Sequence, residues 1–398
     1  MKKNHSLFGM PEDIIFCKRC IISNQRPIST IEFKSKNTLN KKGIDIADDG
    51  ICSACKYTDI KNKINWDDRE IKLKKLLDKY RKKNGYDVIV PSSGGKDSSY
   101  AAHVLKYKYN MNPLTVTWAP HLYTEIGWKN LQNCSHVGGL DNILFTPNGI
   151  LHKKITSLAF KNLLHPFQPF IVGQKVIGPL MATKFDIPLV FYGEKEYGNP
   201  LEENYVPTMD KKFFSNQDIE KIFLGAVSIK ELMSNYKFKL NDFTPYIPPK
   251  LDELEKKKVE VHYLGYYLKW DPQESFYYAS EHTGFKPNIE RTEGSYSKYS
   301  SIDDKIDDFH YFTTFIKFGI GRATYDAAQE IRCGKITREE GVNLVKKYDG
   351  EFPKKYFNDF LNYIDVDEDN FWKIIDSYRS PHLWEYKENK WILKKIVS

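Results

Sequence analysis

The 398-residue sequence contains few cysteines and no long apolar run, and each of these absences excludes a class of protein. Six cysteines are too few for a disulfide scaffold in a chain of this length. No apolar stretch approaches the roughly 18 residues that a membrane-spanning helix needs, and the polar segment 1–13 lacks the apolar core of a secretory signal. With 41% hydrophobic and 28% charged residues, the composition is that of a globular chain. We therefore expect a cytoplasmic protein without a membrane partner.

A strong excess of charge of one sign is also absent. The chain has 60 lysines and arginines against 52 acidic residues, a formal net charge of +8, and the two signs are interleaved along it. Such a mild, dispersed positive charge suits small polyanions such as nucleotides at least as well as a nucleic acid. The charge therefore gives no reason to expect RNA or DNA as a partner.

Four of the cysteines form two pairs with the same spacing, Cys17-x-x-Cys20 and Cys52-x-x-Cys55. Tetrahedral coordination by four thiolates is typical of structural zinc, and with every position filled by sulfur no coordination site stays open for catalysis. The alternative, four unrelated buried thiols, would rarely produce the same spacing twice. We predict a zinc-ribbon-like module over residues 1–62 that holds a structural Zn²⁺.

The rest of the chain divides into an alternating region and a helical region. After a basic helix that starts near residue 66, short apolar runs alternate with helical patterns up to residue 192, and a further apolar run follows at 259–264. This alternation predicts an α/β fold with a doubly wound parallel sheet over residues 63–270. Residues 271–398 are predicted to be mainly helical, with a Thr337–Glu340 capping box, and to contact substrate or partner.

A glycine-containing loop joins the first predicted strand of the sheet to the first helix. The N-terminus of a helix binds anions through its backbone N–H groups, and adjacent glycines let phosphate oxygens approach closely. Lys96 adds a compact positive charge, and the carboxylate of Asp97 could hold Mg²⁺. The alternative is a strand-to-helix turn without function. The loop residues predicted to bind a nucleotide are Ser93, Gly94, Gly95, Lys96, Asp97 and Ser98, and we assign catalytic roles to Lys96 and Asp97.

The loop differs from the P-loop of kinases and GTPases, in which four residues separate the glycine from Gly-Lys. Its pattern Ser-Gly-Gly-x-Asp-Ser resembles the PP-loop of the N-type ATP pyrophosphatases. By this resemblance, ATP is cleaved between its α and β phosphates, and a carbonyl oxygen of the substrate is adenylated. In related enzymes the end of the second strand holds adenine, which here indicates Thr117 and Trp118.

A wider resemblance covers nearly the whole chain. The cysteine pairs, the PP-loop, the segment Ile64-Asn65-Trp66, the segment 192–198 (Tyr-Gly-Glu-Lys-Glu-Tyr-Gly) and the segment 316–324 (Ile-Lys-Phe-Gly-Ile-Gly-Arg-Ala-Thr) resemble the N-acetyl sugar amidotransferase family. The resemblance implies that the N-acetyl group of a nucleotide-activated sugar is adenylated and that ammonia then displaces AMP. The product would be an acetamidino sugar for a bacterial surface glycan, such as lipopolysaccharide O-antigen or pseudaminic acid on flagellin.

The same resemblance implies partners. In the family, a separate glutaminase subunit supplies the ammonia through a barrel subunit. The chain itself has no glutaminase motif, because neither Cys134 nor Cys333 lies in a Gly-x-Cys-x-Gly context and residue 2 is lysine.

Two further segments are expected at the site. Glu194 and Glu196 follow the strand that ends at residue 192, and they could bind Mg²⁺, orient ammonium or accept its proton. Lys317 and Arg322 flank a Gly-x-Gly bend, where Arg322 suits a bidentate phosphate contact. For Glu194 and Glu196, the alternative is two acids in a solvated loop without function. For the bend between Lys317 and Arg322, the alternative is a helix corner that needs small residues for packing.

Other polar residues are given no function. The acidic residues 303, 304, 307 and 308 are interpreted as a solvated helix N-terminus that favours carboxylates. The four histidines at positions 121, 136, 165 and 262 show no metal-like spacing.

The rival hypothesis is a PP-loop tRNA thiolase, a class that also combines this loop with cysteine pairs. Sulfur transfer needs an active-site thiol or an iron–sulfur cluster, and zinc at the paired cysteines would leave only Cys134 and Cys333, far apart in the sequence. A non-catalytic nucleotide-binding scaffold is disfavoured because the loop keeps its charged residues.

Overall fold

The computed structural model describes residues 6–27, 43–193, 208–211, 214–215 and 219–398. The strands are β1 Val88–Pro91, β2 Pro113–Trp118, β3 Asp141–Phe145, β4 Leu189–Tyr192, β5 Phe223–Leu224, β6 Val227–Ser228, β7 Glu260–Tyr263, β8 Trp384–Lys387 and β9 Lys390–Leu393. The α-helices are α1 Ser53–Lys61, α2 Trp66–Tyr80, α3 Lys96–Tyr107, α4 Glu125–His136, α5 Gly149–Leu163, α6 Gln168–Phe185, α7 Ile229–Tyr236, α8 Leu251–Lys256, α9 Leu264–Tyr267, α10 Pro272–His282, α11 Asp307–Phe318, α12 Arg322–Arg332, α13 Arg338–Tyr348, α14 Phe357–Ile364 and α15 Glu368–Ser377. Two 3-10 helices cover Ile219–Lys221 and Leu240–Tyr246.

Five strands form one parallel sheet in the order β3-β2-β1-β4-β7. The predicted parallel sheet is therefore confirmed, and the apolar run at 259–264 joins it as the edge strand β7, in register with β4 from Leu189–Glu260 to Tyr192–Tyr263. The chain moves outward from β1 to β3 and then returns to the other side of β1 as β4. The strand order thus reverses between β1 and β4, and a crevice opens at such a point beyond the carboxyl ends of the strands.

Helices cover both faces of the sheet. Successive side chains of a strand point to opposite faces, so neighbouring residues of β1 pack into two different cores. Ile89 of β1 belongs to the hydrophobic core that includes α5 and α6. Its neighbours Val88 and Val90 belong to a second core formed with α2 and α3. Strands β1, β2 and β4 are buried along their full lengths, as expected for a sheet covered on both faces.

The cysteine pairs share a hydrophobic cluster with the C-terminal helices. All four cysteines are buried with Ile320, Ala327 of α12 and Val342 of α13. The C-terminal part is helical, as predicted, and the capping box of Thr337 and Glu340 is present at α13. It also contains the antiparallel pair β8–β9, which the sequence did not predict. The boundaries drawn at residues 62 and 270 stay predictions. Within the described part of the chain, no helix combines the length and the apolar character that crossing a bilayer requires.

Candidate active site

The loop predicted to bind phosphate connects β1 to α3 at the point where the strand order reverses. Its conformation depends on Gly94, whose φ of +82° lies in the left-handed region that side chains rarely adopt. A Cβ at Gly94 would also lie 2.6 Å from the Cα of Leu131 in α4. Gly95 is the N-cap of α3 and has an ordinary φ of −71°. The first glycine therefore fixes the turn, and the second begins the helix.

Serine hydroxyls stabilise the loop from within. The Ser92 hydroxyl accepts a hydrogen bond from the Gly94 N–H at 3.3 Å and lies 3.0 Å from the Ser98 hydroxyl. The Ser93 hydroxyl accepts the Gly95 N–H at 3.3 Å. These bonds hold the backbone N–H groups near the start of α3, where the positive end of the helix dipole favours an anion.

Asp97 is held on both of its carboxylate oxygens. The Lys96 Nζ lies 2.5 Å from Oδ2, and the indole Nε1 of Trp270 donates to Oδ1 at 3.0 Å. The backbone carbonyl of Trp270 in turn accepts a hydrogen bond from Lys61 Nζ at 2.7 Å. Lys61 ends α1, the helix that begins just after Cys52, so the cysteine region is linked to the loop through Trp270. This link joins residues that are distant in the sequence, and the sequence did not predict it.

A cavity of about 220 Å³ opens over the loop. Residues 91–98 line one side of it, and Trp118, Gly193, Asp303 and Arg322 contribute from four other segments. The structure therefore brings together the predicted loop residues, Trp118 and Arg322. Asn130, Gln174, Tyr192 and Tyr299 also line the cavity and were not predicted.

Arg322 stands at the start of α12 with its side chain 16% exposed. Its Nε lies 3.0 Å from Asp326 Oδ1, and its guanidinium stacks 4.5 Å from the ring centroid of Tyr311. Burial lowers the pKa of Arg322, but Asp326 and Tyr311 raise it by more, so the net pKa is above the ordinary value and the group is charged. The Gly321 N–H donates to Asp349 at 3.0 Å, so the bend also serves as a helix corner.

Two residues predicted to bind the nucleotide are placed elsewhere. Lys317 is 2% exposed, and its Nζ donates to the carbonyl of Leu163 at 2.7 Å. The same Nζ lies 5.2 Å from the ring centroid of Phe8 and 5.1 Å from that of Phe318. Thr117 is buried and donates to the carbonyl of Ser92 at 2.6 Å. Neither side chain lines the cavity. The geometry gives Lys317 a role in helix packing and Thr117 a role in bracing the loop.

Glu194 and Glu196 lie outside the described residues, so their predicted roles stay predictions. Their neighbour Gly193 lines the cavity, and a Cβ on it would lie 2.4 Å from the carbonyl oxygen of Asp97. Residue 193 must therefore stay small for the chain to pass this close to the loop.

The interpretation of the acidic cluster as a solvated helix N-terminus is wrong for Asp304. This residue is 4% exposed, and its carboxylate accepts hydrogen bonds from His121 Nδ1 at 2.6 Å, His121 N at 2.8 Å and Ile306 N at 3.0 Å. Burial and the neighbouring Asp304 raise the pKa of Asp303, and burial raises the pKa of Asp307 to about 7. Asp304 is desolvated because the side chain of His121 and the backbone at Ile306 pack against its carboxylate. His121 consequently has a partner that its sequence context did not reveal.

The four paired cysteines converge on one point. Their sulfur atoms all lie within 4.8 Å of one another, with 3.9 Å between Cys17 and Cys55 and 3.7 Å between Cys20 and Cys52. A metal ion bound by four thiolates at about 2.3 Å places its sulfurs roughly 3.8 Å apart. The backbone N–H of Cys52 donates to the Cys17 sulfur at 3.3 Å, which favours a thiolate. The cluster could therefore bind one metal ion.

Residues 293–397 match the family model described as "LPS biosynthesis protein WbpG-like, C-terminal domain". A predicted subunit of tRNA methyltransferase from Methanocaldococcus jannaschii is similar at 17% identity, covering 49% of this chain and 76% of that one, with a TM-score of 0.27. The U34-tRNA thiolase NcsA from Methanococcus maripaludis, solved with its [4Fe-4S] cluster, is similar at 14% identity, covering 77% of this chain and 88% of that one, with a TM-score of 0.30. Such low TM-scores support no conclusion about function. The comparison with curated proteins found no match.

The parallel sheet, the strand-to-helix loop at its reversal point and the cavity over that loop form an arrangement in which a nucleotide phosphate could bind. One part of the lining of this cavity, Asp303 and Arg322, belongs to the region that matches the WbpG-like family model. A match to a lipopolysaccharide biosynthesis family supports the family resemblance that the sequence indicated.

Proposed function

We propose that the protein is an ATP-dependent amidotransferase that forms acetamidino sugars. It adenylates the N-acetyl group of a nucleotide-activated sugar, replaces the amide oxygen with ammonia, and releases AMP and pyrophosphate. One observation carries this proposal: Asp303 and Arg322 both lie in the WbpG-like region 293–397, and both line the same cavity as the loop 91–98. The phosphate loop and the region shared with a lipopolysaccharide biosynthesis family thus face one reaction space.

ATP is required because an amide is a poor electrophile and its oxygen is a poor leaving group. Transfer of the adenylyl group to that oxygen gives an imidate whose leaving group is AMP, and ammonia can displace it. The C–O bond then breaks with its electron pair on the AMP phosphate. Positioned cations stabilise the negative charge that develops on the phosphates.

The loop residues supply that positioning. The backbone N–H groups at the start of α3 bind the β and γ phosphates, and Lys96 exchanges the Asp97 carboxylate for a phosphate oxygen. This exchange frees Asp97 Oδ2, while Trp270 keeps Oδ1 in place at 3.0 Å. A Mg²⁺ ion bound with the nucleotide would neutralise phosphate charge, and Asp97 is the residue that would hold it. Arg322 is placed to contact the α phosphate or the diphosphate of the sugar.

We infer that the cysteine cluster holds Zn²⁺ in a structural role. Its sulfur separations suit a single tetrahedral ion, whereas a four-iron cluster requires its thiolates to bind separate iron atoms and so to lie farther apart. The cysteines share a hydrophobic core with α12, the helix that begins with Arg322. A metal bound by the cysteines would therefore help to hold Arg322 in place at the cavity.

The alternative function, tRNA thiolation, finds less support in the positions of the remaining thiols. Cys134 is buried 2.8 Å from the hydroxyl of Ser99, and burial raises its pKa. Cys333 packs against Gln329 at the end of α12. Neither lines the cavity, so neither is placed to carry sulfur to an adenylated base.

Ammonia is proposed to come from a separate glutaminase subunit through a barrel subunit, with the reaction in the cytoplasm. The test is to incubate the purified chain with ATP, Mg²⁺, ammonium and a panel of UDP- and CMP-linked diacetamido sugars. Mass spectrometry should show replacement of an oxygen atom by an NH group in one of these sugars. Sulfur incorporation into tRNA, with no amidine from any sugar, would overturn the proposal in favour of the thiolase.

A further inference from the structure

Asp303 is a carboxylate of the cavity wall that the scheme above leaves without a role. Among the described residues that line the cavity, only Asp97 and Asp303 are acidic, and Asp97 is already held by Lys96 and Trp270. In the part of the chain that the structure describes, Asp303 makes no ion pair with a lysine or arginine. An anion beside a phosphate-binding loop repels the phosphates unless a cation lies between them. The position of Asp303 therefore indicates a cationic ligand group.

Helix α4 fixes Asp303 next to the phosphate loop. A Cβ on Gly127 of α4 would lie 2.4 Å from the Cα of Asp303. A Cβ on Gly94 of the loop would lie 2.6 Å from the Cα of Leu131, which is one turn after Gly127 on the same face of α4. The backbone N–H of Thr124, the N-cap of α4, also donates to the carbonyl of Asp303 at 3.2 Å. The loop and Asp303 thus pack on neighbouring positions of one helix, which sets their relative placement.

The surroundings of Asp303 favour a bound cation. Its side chain is only partly exposed, and burial together with the adjacent Asp304 raises its pKa, whereas Ser93 of the loop and Arg322 lower it. Ser93 and Arg322 line the same cavity, and Arg322 is paired with Asp326. A partly desolvated carboxylate without an ion-pair partner is stabilised when a ligand brings a positive charge to it.

The proposed reaction turns a neutral acetamido group into a cation. In the first step, the amide oxygen forms a bond to the α phosphorus of ATP, and the bond from this phosphorus to pyrophosphate breaks. The nitrogen keeps its hydrogen, so the O-adenylated group carries a positive charge that nitrogen and carbon share. In the second step, ammonia adds to the carbon, AMP leaves with the electron pair of the C–O bond, and one ammonia proton passes to solvent. The product is an amidinium cation.

We propose that Asp303 is the catalytic carboxylate that binds the acetamido nitrogen and stabilises this positive charge, an inference that rests on the proposed function. The neutral acetamido group offers one N–H to the carboxylate, whereas the amidinium offers two parallel N–H donors, as arginine does in its bidentate pairs. A group that binds the charged state more strongly than the neutral substrate lowers the barriers of both steps. The loop binds the anionic phosphates, and Asp303 binds the cationic end of the same intermediate.

The test compares the wild-type chain with Asp303→Asn, which keeps the shape of the side chain and removes its charge. The matched control is Asp369→Asn, an exposed aspartate in the first turn of α15. The probes are the panel sugar that the wild-type chain converts and its acetamidino product. Calorimetry measures the Kd of each probe in the presence of an ATP analogue with a methylene group between its α and β phosphates, so that no turnover occurs.

We expect the wild-type chain and the control to bind the acetamidino sugar about 10-fold or more tightly than the acetamido sugar, in the range of a charge-assisted hydrogen bond. In Asp303→Asn this preference should disappear, while the Kd of the acetamido sugar stays within a few-fold of the wild-type value. Turnover should fall by about 10- to 100-fold. A purely structural role would weaken the binding of both sugars equally, and that result would overturn the inference.

Two other results would also overturn it. Equal affinity of the wild-type chain for both sugars would show that no group of the cavity favours the cation, and this measurement does not depend on the folding of a variant. Recovery of Asp303→Asn turnover at a higher Mg²⁺ concentration would make Asp303 a magnesium ligand. A chain that forms the amidine but lacks the preference contradicts this inference alone. If the wild-type chain releases no pyrophosphate with any sugar of the panel, the proposed function fails, and the inference fails with it.

Discussion

Replacing Gly94 by alanine tests the loop most sharply, because this position combines two physical constraints. Its φ of +82° lies in the left-handed region, where alanine is less stable than glycine by about 1–2 kcal/mol. The added Cβ would also lie 2.6 Å from the Cα and 2.7 Å from the N of Leu131. These are backbone atoms of α4, so they cannot move aside like the end of a flexible side chain, and such overpacking costs about 1–3 kcal/mol.

Together the two effects should destabilise Gly94→Ala by about 2–5 kcal/mol, which lowers the melting temperature of a chain of this length by roughly 2–6 °C. Gly95→Ala is the matched control. Its φ is ordinary, and a Cβ there would meet only the Ser93 hydroxyl at 3.2 Å. Its effect should stay near the roughly 0.5–1 kcal/mol of a changed N-cap. Thermal unfolding followed by circular dichroism, with ATP binding by calorimetry, distinguishes the two. If Gly94→Ala melts like the wild type, the loop does not have the described conformation.

Four further predictions concern the rest of the site and the fold. Asp97→Ala should keep its fold and metal but lose pyrophosphate release in a coupled assay, and unchanged turnover would count against the proposed reaction. Cys52→Ser should lower both the metal content and the melting temperature, since structural zinc contributes on the order of 10 kcal/mol of apparent binding in small modules; an unaltered melting profile would refute this. Trp270→Phe removes the donor to Asp97 Oδ1, so turnover measured against Mg²⁺ concentration should fall by about 10-fold or more; wild-type turnover would show that Asp97 needs no such support. A hydrogen bond from His262 lowers the pKa of Glu260 to about 2 against the opposing effect of burial, so this carboxylate stabilises the fold above the ordinary glutamate pKa and the contribution is lost as pH falls toward 2. Glu260→Gln should therefore flatten the acid limb of the stability profile in denaturant unfolding, and an unchanged limb would contradict the assignment.

Features encoded by neighbouring residues could be predicted from the sequence. The alternation of short apolar runs and helical patterns predicts the parallel sheet, because each strand is buried by the helices next to it in the chain. The PP-loop is likewise local, since its turn depends on Gly94 and the start of α3. The repeated Cys-x-x-Cys spacing predicts the cluster because each pair already places two sulfurs close together.

Contacts between distant segments could not be predicted in this way. Lys317 reads as a ligand-binding cation beside a glycine bend, yet its partner is a carbonyl 154 positions away. The Asp304–His121 pair spans 183 positions, and the Trp270–Asp97 bond spans 173. The β8–β9 hairpin was missed for a local reason: its turn residues Glu388 and Asn389 adopt positive φ without the glycine that usually marks such a turn.

The central claim is that the amide oxygen of the sugar becomes an oxygen of AMP, and isotope labelling tests it most directly. The accepted sugar is prepared with oxygen-18 in its N-acetyl carbonyl and converted with ATP and ammonium. Phosphorus-31 NMR and mass spectrometry of the nucleotide product should then show AMP that carries the label on its phosphate. Unlabelled AMP, or ADP with the label in inorganic phosphate, would contradict adenylation of the amide.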